Sequence, residues 1–517
     1  MDKKFLFAMF LSFLTVWVIQ QYFHKPEEKG VPQQVNPGQS YKVPSQQELN
    51  LPLNLEVDFI DKKITQKEQE IFVETDLYEA TFSNYGAVLS SLDFKQYLDG
   101  YKKTLKTLKK RNFYEREQAV FLLALQEKTP YFYDFVGKQD LEDRIVVSFQ
   151  AHADGWLIKK NYFLYKKIHK MDLEIEFEKK GKSEISYLKP RLFFAAPLVT
   201  EIEGNTQTGF YSDINGKIHL VSSGQEKDQA WVSPPVFGGQ DKYFAHCLIK
   251  DESYFVQRGY FKTFSNNLLY SVLEGPKIED KQTYKISFYL GPKTVNDLND
   301  VDSRLEGLLS FGWFSWLCLF FVRLLNWFYD LLGNYGLAII FLTVLLKIPF
   351  LPALIYSKKK MEHYNKYEPQ IKAIRLKYKN NLALQTSELA KFHKDHNLSQ
   401  FTVMIGCLPM LLQFPILIAF YKVVGNSLNL YQAPFFGWIT DLSAKDPYYV
   451  LPVLMGVTMF WSQRLTSVKD ERTKNFMMFM PIITTVIFLN FPAGVVLYWL
   501  VNNILTVAEE FLRKKIV

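Results

Sequence analysis

The chain has 517 residues, with 61 Lys and Arg against 53 Asp and Glu, a formal charge of +8, three cysteines and a mean hydropathy of −0.08. Cysteines at 247, 318 and 407 are too few and too scattered for a disulfide framework, a Cys-rich zinc site or a CxxC redox pair. Long uncharged runs alternate with heavily charged ones, so the near-zero mean hides strongly apolar and strongly polar segments, and no part has the composition of a wholly disordered chain.

Phe5 to Phe23 carries no charge and follows Lys3 and Lys4, long enough to cross a hydrocarbon core about 30 Å thick. No small-x-small cleavage site follows, so residues 1–24 read as an uncleaved anchor with its basic end in the cytoplasm. Prolines at 26, 32, 37, 44 and 52 mark 25–55 as an extended linker. Residues 56–300 read as strands: Met171, Leu173, Ile175 and Phe177 alternate with Asp172, Glu174, Glu176 and Glu178. Ile286 to Leu290 and Tyr78 to Phe82 have a similar look, and Asn84-Tyr85-Gly86 and Gly238-Gly239 are turn signals. A large antiparallel β-sandwich is expected. His152, His169, His219 and His246 lack metal-ligand spacing, and Gly204 to Gly209 lacks the Lys-Ser/Thr of a phosphate loop.

Uncharged runs follow at 307–322, 331–346, 399–421, 447–463 and 475–508. Residues 357–400 hold ten Lys/Arg against four Asp/Glu, and the loop 464–474 holds four against two, whereas 425–446 holds one against two. The excess of Lys and Arg places the first two in the cytoplasm and the third outside. Only one of the runs before residue 357 can then span. Arg323 and Asp330 interrupt the first, which also carries Trp313, Trp316 and Trp327, so 301–333 is expected to hold an amphipathic helix lying in the outer interface. The run 475–508 would be about 51 Å long as one helix, and Asn490-Phe491-Pro492-Ala493-Gly494 divides it into two short spans. Residues 334–517 thus form a five-span core, and both termini are cytoplasmic. Spans this short thin the bilayer around them.

Lys347 lies ten residues before Ser357, roughly 15 Å of helix rise from the cytoplasmic boundary. A charge at such depth costs on the order of 3 kcal/mol and normally faces a bundle interior or a wet cavity. Thr343, Gln413, Gln463, Thr484, Thr485 and Asn502 add polar groups, and together with Lys347 they suggest a hydrophilic groove within the membrane. No Asp or Glu lies in the middle of any span, which argues against a proton or ion relay. In the cytoplasmic block, Met361, Tyr364, Ile371, Ile374 and Tyr378 recur at helical spacing, Asn380-Asn381 interrupts, and Leu382 to His396 resumes, predicting a helical hairpin over 357–399. Its positive surface would attract anionic headgroups or ribosomal RNA without sequence preference.

The segments Gln432-Ala433-Pro434-Phe435, Asp441-Leu442-Ser443-Ala444-Lys445-Asp446-Pro447, Leu451 to Phe460 and Phe491-Pro492-Ala493-Gly494-Val495-Val496-Leu497-Tyr498 closely resemble YidC-type bacterial membrane protein insertases of the Oxa/Alb/YidC superfamily. Thr75-Asp76, Asp241-Lys242-Tyr243-Phe244 and Tyr289-Leu290-Gly291-Pro292-Lys293 extend a looser resemblance into the outer part. The resemblance implies a multi-domain, multi-pass inner-membrane protein: an α-helical insertase core plus a periplasmic, mutarotase-like β-sandwich. It implies a non-enzymatic insertase and chaperone without cofactor or metal, with residues about 24–333 periplasmic or at the outer interface. Its implied partners are nascent membrane proteins and the Sec translocon, with weaker contacts to the ribosome, its targeting receptor and anionic lipids, and no specific nucleic acid. Lys347 stands where the family usually carries arginine, keeping the charge and losing the planar fork of donors. Client contacts are implied for Thr343, Tyr498 and Trp499, and polar groove positions for Gln413, Gln463 and Thr485.

Overall fold

The computed structural model describes residues 67–98, 104–108, 120–125, 132–153, 155–181, 186–199, 205–221, 229–263, 268–309, 311–396, 398, 408–465 and 471–516. The anchor expected over 1–24 and the linker over 25–55 lie outside the described residues. The chain divides into two compact units, one within Pro32–Ser310 and one that includes Phe311–Val517.

The first unit is built from antiparallel sheets of four, five and nine strands. The alternating stretch forms the strand Lys170–Lys179, paired with Gln282–Pro292 on one side and Trp156–Tyr165 on the other. Met171, Leu173, Ile175 and Phe177 are buried, and Glu176 on the opposite face pairs with Lys159 and Lys281 at 3.2 and 3.0 Å. The period of two therefore sorts apolar from charged side chains. Asp172 departs from the alternation because it is buried, accepting hydrogen bonds from the Tyr165 hydroxyl at 2.9 Å and the Lys170 amine at 3.3 Å. Between the two larger sheets, Phe288 meets Phe121 and Phe194, and Phe237 stacks on Phe261 with ring centroids 4.5 Å apart.

Asn84-Tyr85-Gly86 is a turn, with Gly86 at φ 75°. Gly238-Gly239 is not. These two glycines sit inside the strand Phe237–Gln240, where an added Cβ would stand 2.2 Å from the His246 carbonyl oxygen at the first and 2.4 Å from the Ala196 Cβ at the second. Close approach of neighbouring chain, not a reversal, is what excludes a side chain here. Helix α1 (Val295–Val301) and the 3-10 turn Ser303–Leu308 close this unit, burying Leu298, Leu305 and Leu308 against Phe210, Val236 and Tyr289.

The second unit is helical. Helix α2 (Ser315–Leu332) ends at Gly333 in the left-handed region, and Asn334 then caps α3 (Tyr335–Lys377) through the Leu337 amide. Five further helices follow: α4 (Leu382–Asp395), α5 (Leu408–Asn426), α6 (Val450–Leu465), α7 (Glu471–Phe488) and α8 (Ala493–Ile516). Within 301–333 the chain forms the helix α2, and the break within 475–508 falls between α7 and α8. Helix α3 runs unbroken for 43 residues, through the apolar segment and on into the charged one. It packs against α4 through a small apolar cluster of Tyr364, Ile371 and Leu398, with Tyr367, Leu389 and Phe392 around it. By length and composition, Gly312–Leu332, Tyr335–Pro352 and Ala493–Leu512 suffice to cross a membrane, and Met478–Phe488 is a shorter apolar helix.

Candidate functional site

The segments that carry the family resemblance converge at one end of the helical unit. Asp446, 1% exposed, accepts hydrogen bonds from Trp438 Nε1 at 3.0 Å, the Tyr448 amide at 3.0 Å and the Leu451 amide at 2.7 Å, tying the α5–α6 loop to the first turn of α6. Asp441 does the same for the Gln432 and Ser443 amides. The loop then meets α8, whose Ala493 and Gly494 amides donate to the Ala444 and Leu442 carbonyls. It also meets α3, where a Cβ on Gly336 would lie 2.0 Å from the Phe435 ring. These residues therefore fix where α3, α6 and α8 start.

From that end a polar stripe runs down α8. Tyr498, Asn502, Thr506 and Glu509 fall at spacings of four, four and three, which places them on one face of a helix over about 16 Å. Tyr498 is buried, stacks on Phe420 of α5 at 4.8 Å between centroids, and shares a hydrogen bond with Gln413 Nε2. Further along the stripe the Lys347 amine, on α3, donates to the Asn502 carbonyl at 3.2 Å and Thr506 Oγ1 at 2.9 Å and stands 3.2 Å from Glu509 Oε1. The Lys347 side chain is only 8% exposed. An ammonium has three donors, and all three are turned to α8. Eleven residues along α3, Lys358 pairs with Glu510, which is 4% exposed.

The structure thus brings Lys347, Gln413 and Tyr498 to one side of α8. Thr343, one turn before Lys347, is buried, with its hydroxyl bonded back to the Ile339 carbonyl at 2.7 Å. Thr485 and Trp499 belong to the other side, with α6 and α7. The Thr485 hydroxyl bonds to Pro481 O at 2.7 Å and faces Gly456, where an added Cβ would be 2.1 Å away. Trp499 lies 5.6 Å from the Phe488 ring, and among the described residues neither its Nε1 nor Gln463 Oε1, both buried, has a hydrogen-bond partner. The predicted groove residues therefore separate into two groups flanking α8.

Sequence reasoning missed Thr506 and Glu509. The run that defined the last span ends at Ala508, one residue before Glu509, so the carboxylate reads as flanking charge. The signal available was the 502, 506, 509 spacing, which continues the face begun at Tyr498. Among the described residues, no group of three or more His, Cys, Asp or Glu is placed to hold a metal ion.

Comparison with known proteins decides the family. Residues 327–517 match the model of the 60Kd inner membrane protein family, and residues 70–324 match that of the YidC periplasmic domain. The membrane protein insertase YidC of Syntrophus aciditrophicus (strain SB) is 32% identical over 568 aligned positions, covering 100% of both chains. The chain belongs to the YidC family of membrane protein insertases. A crystal structure of an active YidC insertase with its first transmembrane domain resolved overlays on 88% of this chain and 94% of that one at 19% identity, with a TM-score of 0.40. A galactose mutarotase-like protein from Lactobacillus casei overlays on 43% of this chain and 100% of its own at 8% identity and a TM-score of 0.28. Neither overlay adds to the assignment, which rests on the YidC sequence relatives and the two family models. Within the YidC frame the antiparallel sandwich corresponds to the periplasmic-domain match and the helices α3 to α8 to the inner-membrane match.

Proposed function

We propose that this chain inserts and helps fold inner-membrane proteins by offering a client the polar stripe of α8 and the positive charge of Lys347 within the bilayer. The observation that carries the reading is the Lys347 amine itself, held between α3 and α8 on a stripe of otherwise apolar helices. Desolvating a lone ammonium is costly, and the ion pair with Glu509 offsets part of that cost. A client hairpin enters from the cytoplasm, its acidic outer segment is drawn toward Lys347, and its apolar helix passes Trp499 into lipid. Hydrophobic partition drives the step, so no cofactor and no covalent chemistry are required. The unpartnered Trp499 Nε1 and Gln463 Oε1 support this placing of the client, since both retain hydrogen-bonding capacity that a polar segment would use. Photocrosslinking from position 499 to a stalled nascent membrane protein tests the reading. Adducts that depend on the client's apolar segment are expected, and their absence, with adducts forming instead from the sandwich, would overturn it.

The placement we propose puts the sandwich on the periplasmic side, both termini in the cytoplasm and α2 flat in the outer interface. Support for α2 comes from its neighbours. Within α2, Cys318 and Phe321 meet Ala419 and Phe420 of α5, and Asn326 meets Asn429 just past the end of α5, so the contacts gather at the loop-side end of α5. Trp313, 92% exposed, and Trp316 and Trp327 fit interfacial anchoring. The basic hairpin of α3 and α4 is proposed to dock the ribosome or a targeting receptor and to rest on anionic lipid, and the Sec translocon is proposed as a partner for larger clients.

A further inference from the structure

The charge that the proposed mechanism relies on is not free. Among the described residues, Glu509 is the carboxylate that an ion pair places on Lys347, at 3.2 Å, and it is more exposed than its neighbour Glu510, at 24% against 4% of the side chain. Consecutive residues on a helix point about 100° apart, so the two carboxylates serve different cations. Glu510 is sealed against Lys358, where α3 leaves the apolar segment, and this pair fastens the two helices together. Glu509 is the less enclosed of the two and has room to turn away from Lys347. The remaining ligands of Lys347, the Asn502 carbonyl and Thr506 Oγ1, are fixed, because Thr506 Oγ1 itself donates to Asn502 O at 2.9 Å and both belong to the body of α8.

We infer that Glu509 is a specificity-determining residue of the insertion reaction: it is a built-in competitor, and a client carboxylate reaches Lys347 by displacing it. This inference rests on the proposed role of Lys347. The exchange is an ion-pair swap in which no bond is made or broken covalently. Lys347 keeps two α8 ligands throughout, the client carboxylate takes the third donor, and Glu509 turns to its exposed side. Two consequences follow. The resting pair is neutral, so the buried site presents little net charge to a client without acidic residues. And discrimination depends on the client's carboxylate count, because one carboxylate merely replaces another while several neighbouring ones raise the local concentration of competitor. Lysine suits such exchange better than arginine, since a single point charge releases a carboxylate without breaking a two-pronged contact.

The test uses the full-length protein reconstituted in vesicles and two clients that differ only in their translocated tails, one with several neighbouring Asp residues and one with none. The readout is the ratio of inserted Asp-tail client to inserted neutral-tail client. For Glu509→Gln the ratio is expected to rise by about five-fold or more, the lower end of couplings between competing ligands. Lys347→Gln should bring the ratio to near one, and Glu509→Gln in that background should then change nothing. If Lys347→Gln collapses the ratio but Glu509→Gln leaves it unchanged or lowers insertion of both clients equally, Glu509 is a helix fastener and the inference fails alone. If Lys347→Gln leaves the ratio unchanged, the proposed role of Lys347 fails with it. Glu509→Asp, which keeps the charge, is expected to retain the parent ratio and controls for folding of α8.

Discussion

Acidification is expected to loosen the sandwich, and two buried histidines set the size of the effect. His246 is fully enclosed on the strand Phe244–Asp251, with Nδ1 donating to the Ala195 carbonyl at 3.0 Å and Nε2 without a partner among the described residues. His169 is 3% exposed among the rings of Tyr78, Phe94 and Tyr289, and Asp297 at 3.5 Å lies too far to form a good hydrogen bond. Burial pushes both imidazoles down from the usual 6.5 to about 4. Between those values the unfolded chain binds more protons than the folded one. The stabilisation is therefore complete above pH 6.5, is lost as pH falls, and is exhausted below about 4. Going from pH 7 to pH 5 costs about 2 kcal/mol per histidine, about 4 kcal/mol together, against a domain stability of roughly 5–15 kcal/mol. Hydrogen exchange along Phe244–Asp251 in the full-length protein at pH 7 and pH 5, corrected for intrinsic rates, measures the opening free energy. His246→Gln retains a donor for Ala195 O without the titration, so its pH-dependent loss should be about half that of the parent. The difference between the two proteins isolates the histidine from the Asp241 and Asp251 carboxyls, which burial raises and which act in the opposite sense. An identical pH loss in the His246→Gln protein would falsify the linkage argued here.

Three further outcomes follow from the helical unit. Gly456→Ala should destabilise the α6–α7 pair by about 1–3 kcal/mol because its Cβ meets the Thr485 hydroxyl, and adding Thr485→Ala should restore most of the loss in thermal unfolding in detergent. Asp446→Ala removes a buried acceptor for three donors, one of them the buried Leu451 amide in the first turn of α6, for a loss of about 2 kcal/mol read by the same melt, and Asp446→Asn should lose less. Replacing the hairpin outside the α3 apolar segment by a short linker should slow insertion of ribosome-bound clients, and unchanged rates with an intact melt would count against its docking role.

The strand alternation at 170–179 and the split of 475–508 were readable because each rests on a local pattern, a period of two and a Pro-Gly turn between apolar runs. The Gly238-Gly239 pair misleads because glycine marks both turns and tight packing, and only the closeness of His246 on the neighbouring strand and of Ala196, just past a strand of the other sheet, tells them apart. The placement of Lys347 within an apolar stretch of helix was likewise legible, whereas its partner was not. Glu509 lies 162 positions away on another helix, so the pairing depends on how α3 and α8 pack, which no local pattern carries. The separation of Thr485 and Trp499 from Lys347 has the same origin. Polar residues on apolar helices flag a shared interior, but which side of α8 each one faces is set by the order of the helices around it.

The central claim is that the Lys347 charge draws acidic client segments into the bilayer. Insertion of a client with an acidic translocated tail should be compared for the parent, Lys347→Arg and Lys347→Glu in the reconstituted full-length protein. The account predicts activity near the parent for Lys347→Arg and a marked loss for Lys347→Glu that grows with the number of acidic residues in the tail. Equal activity of all three would contradict it.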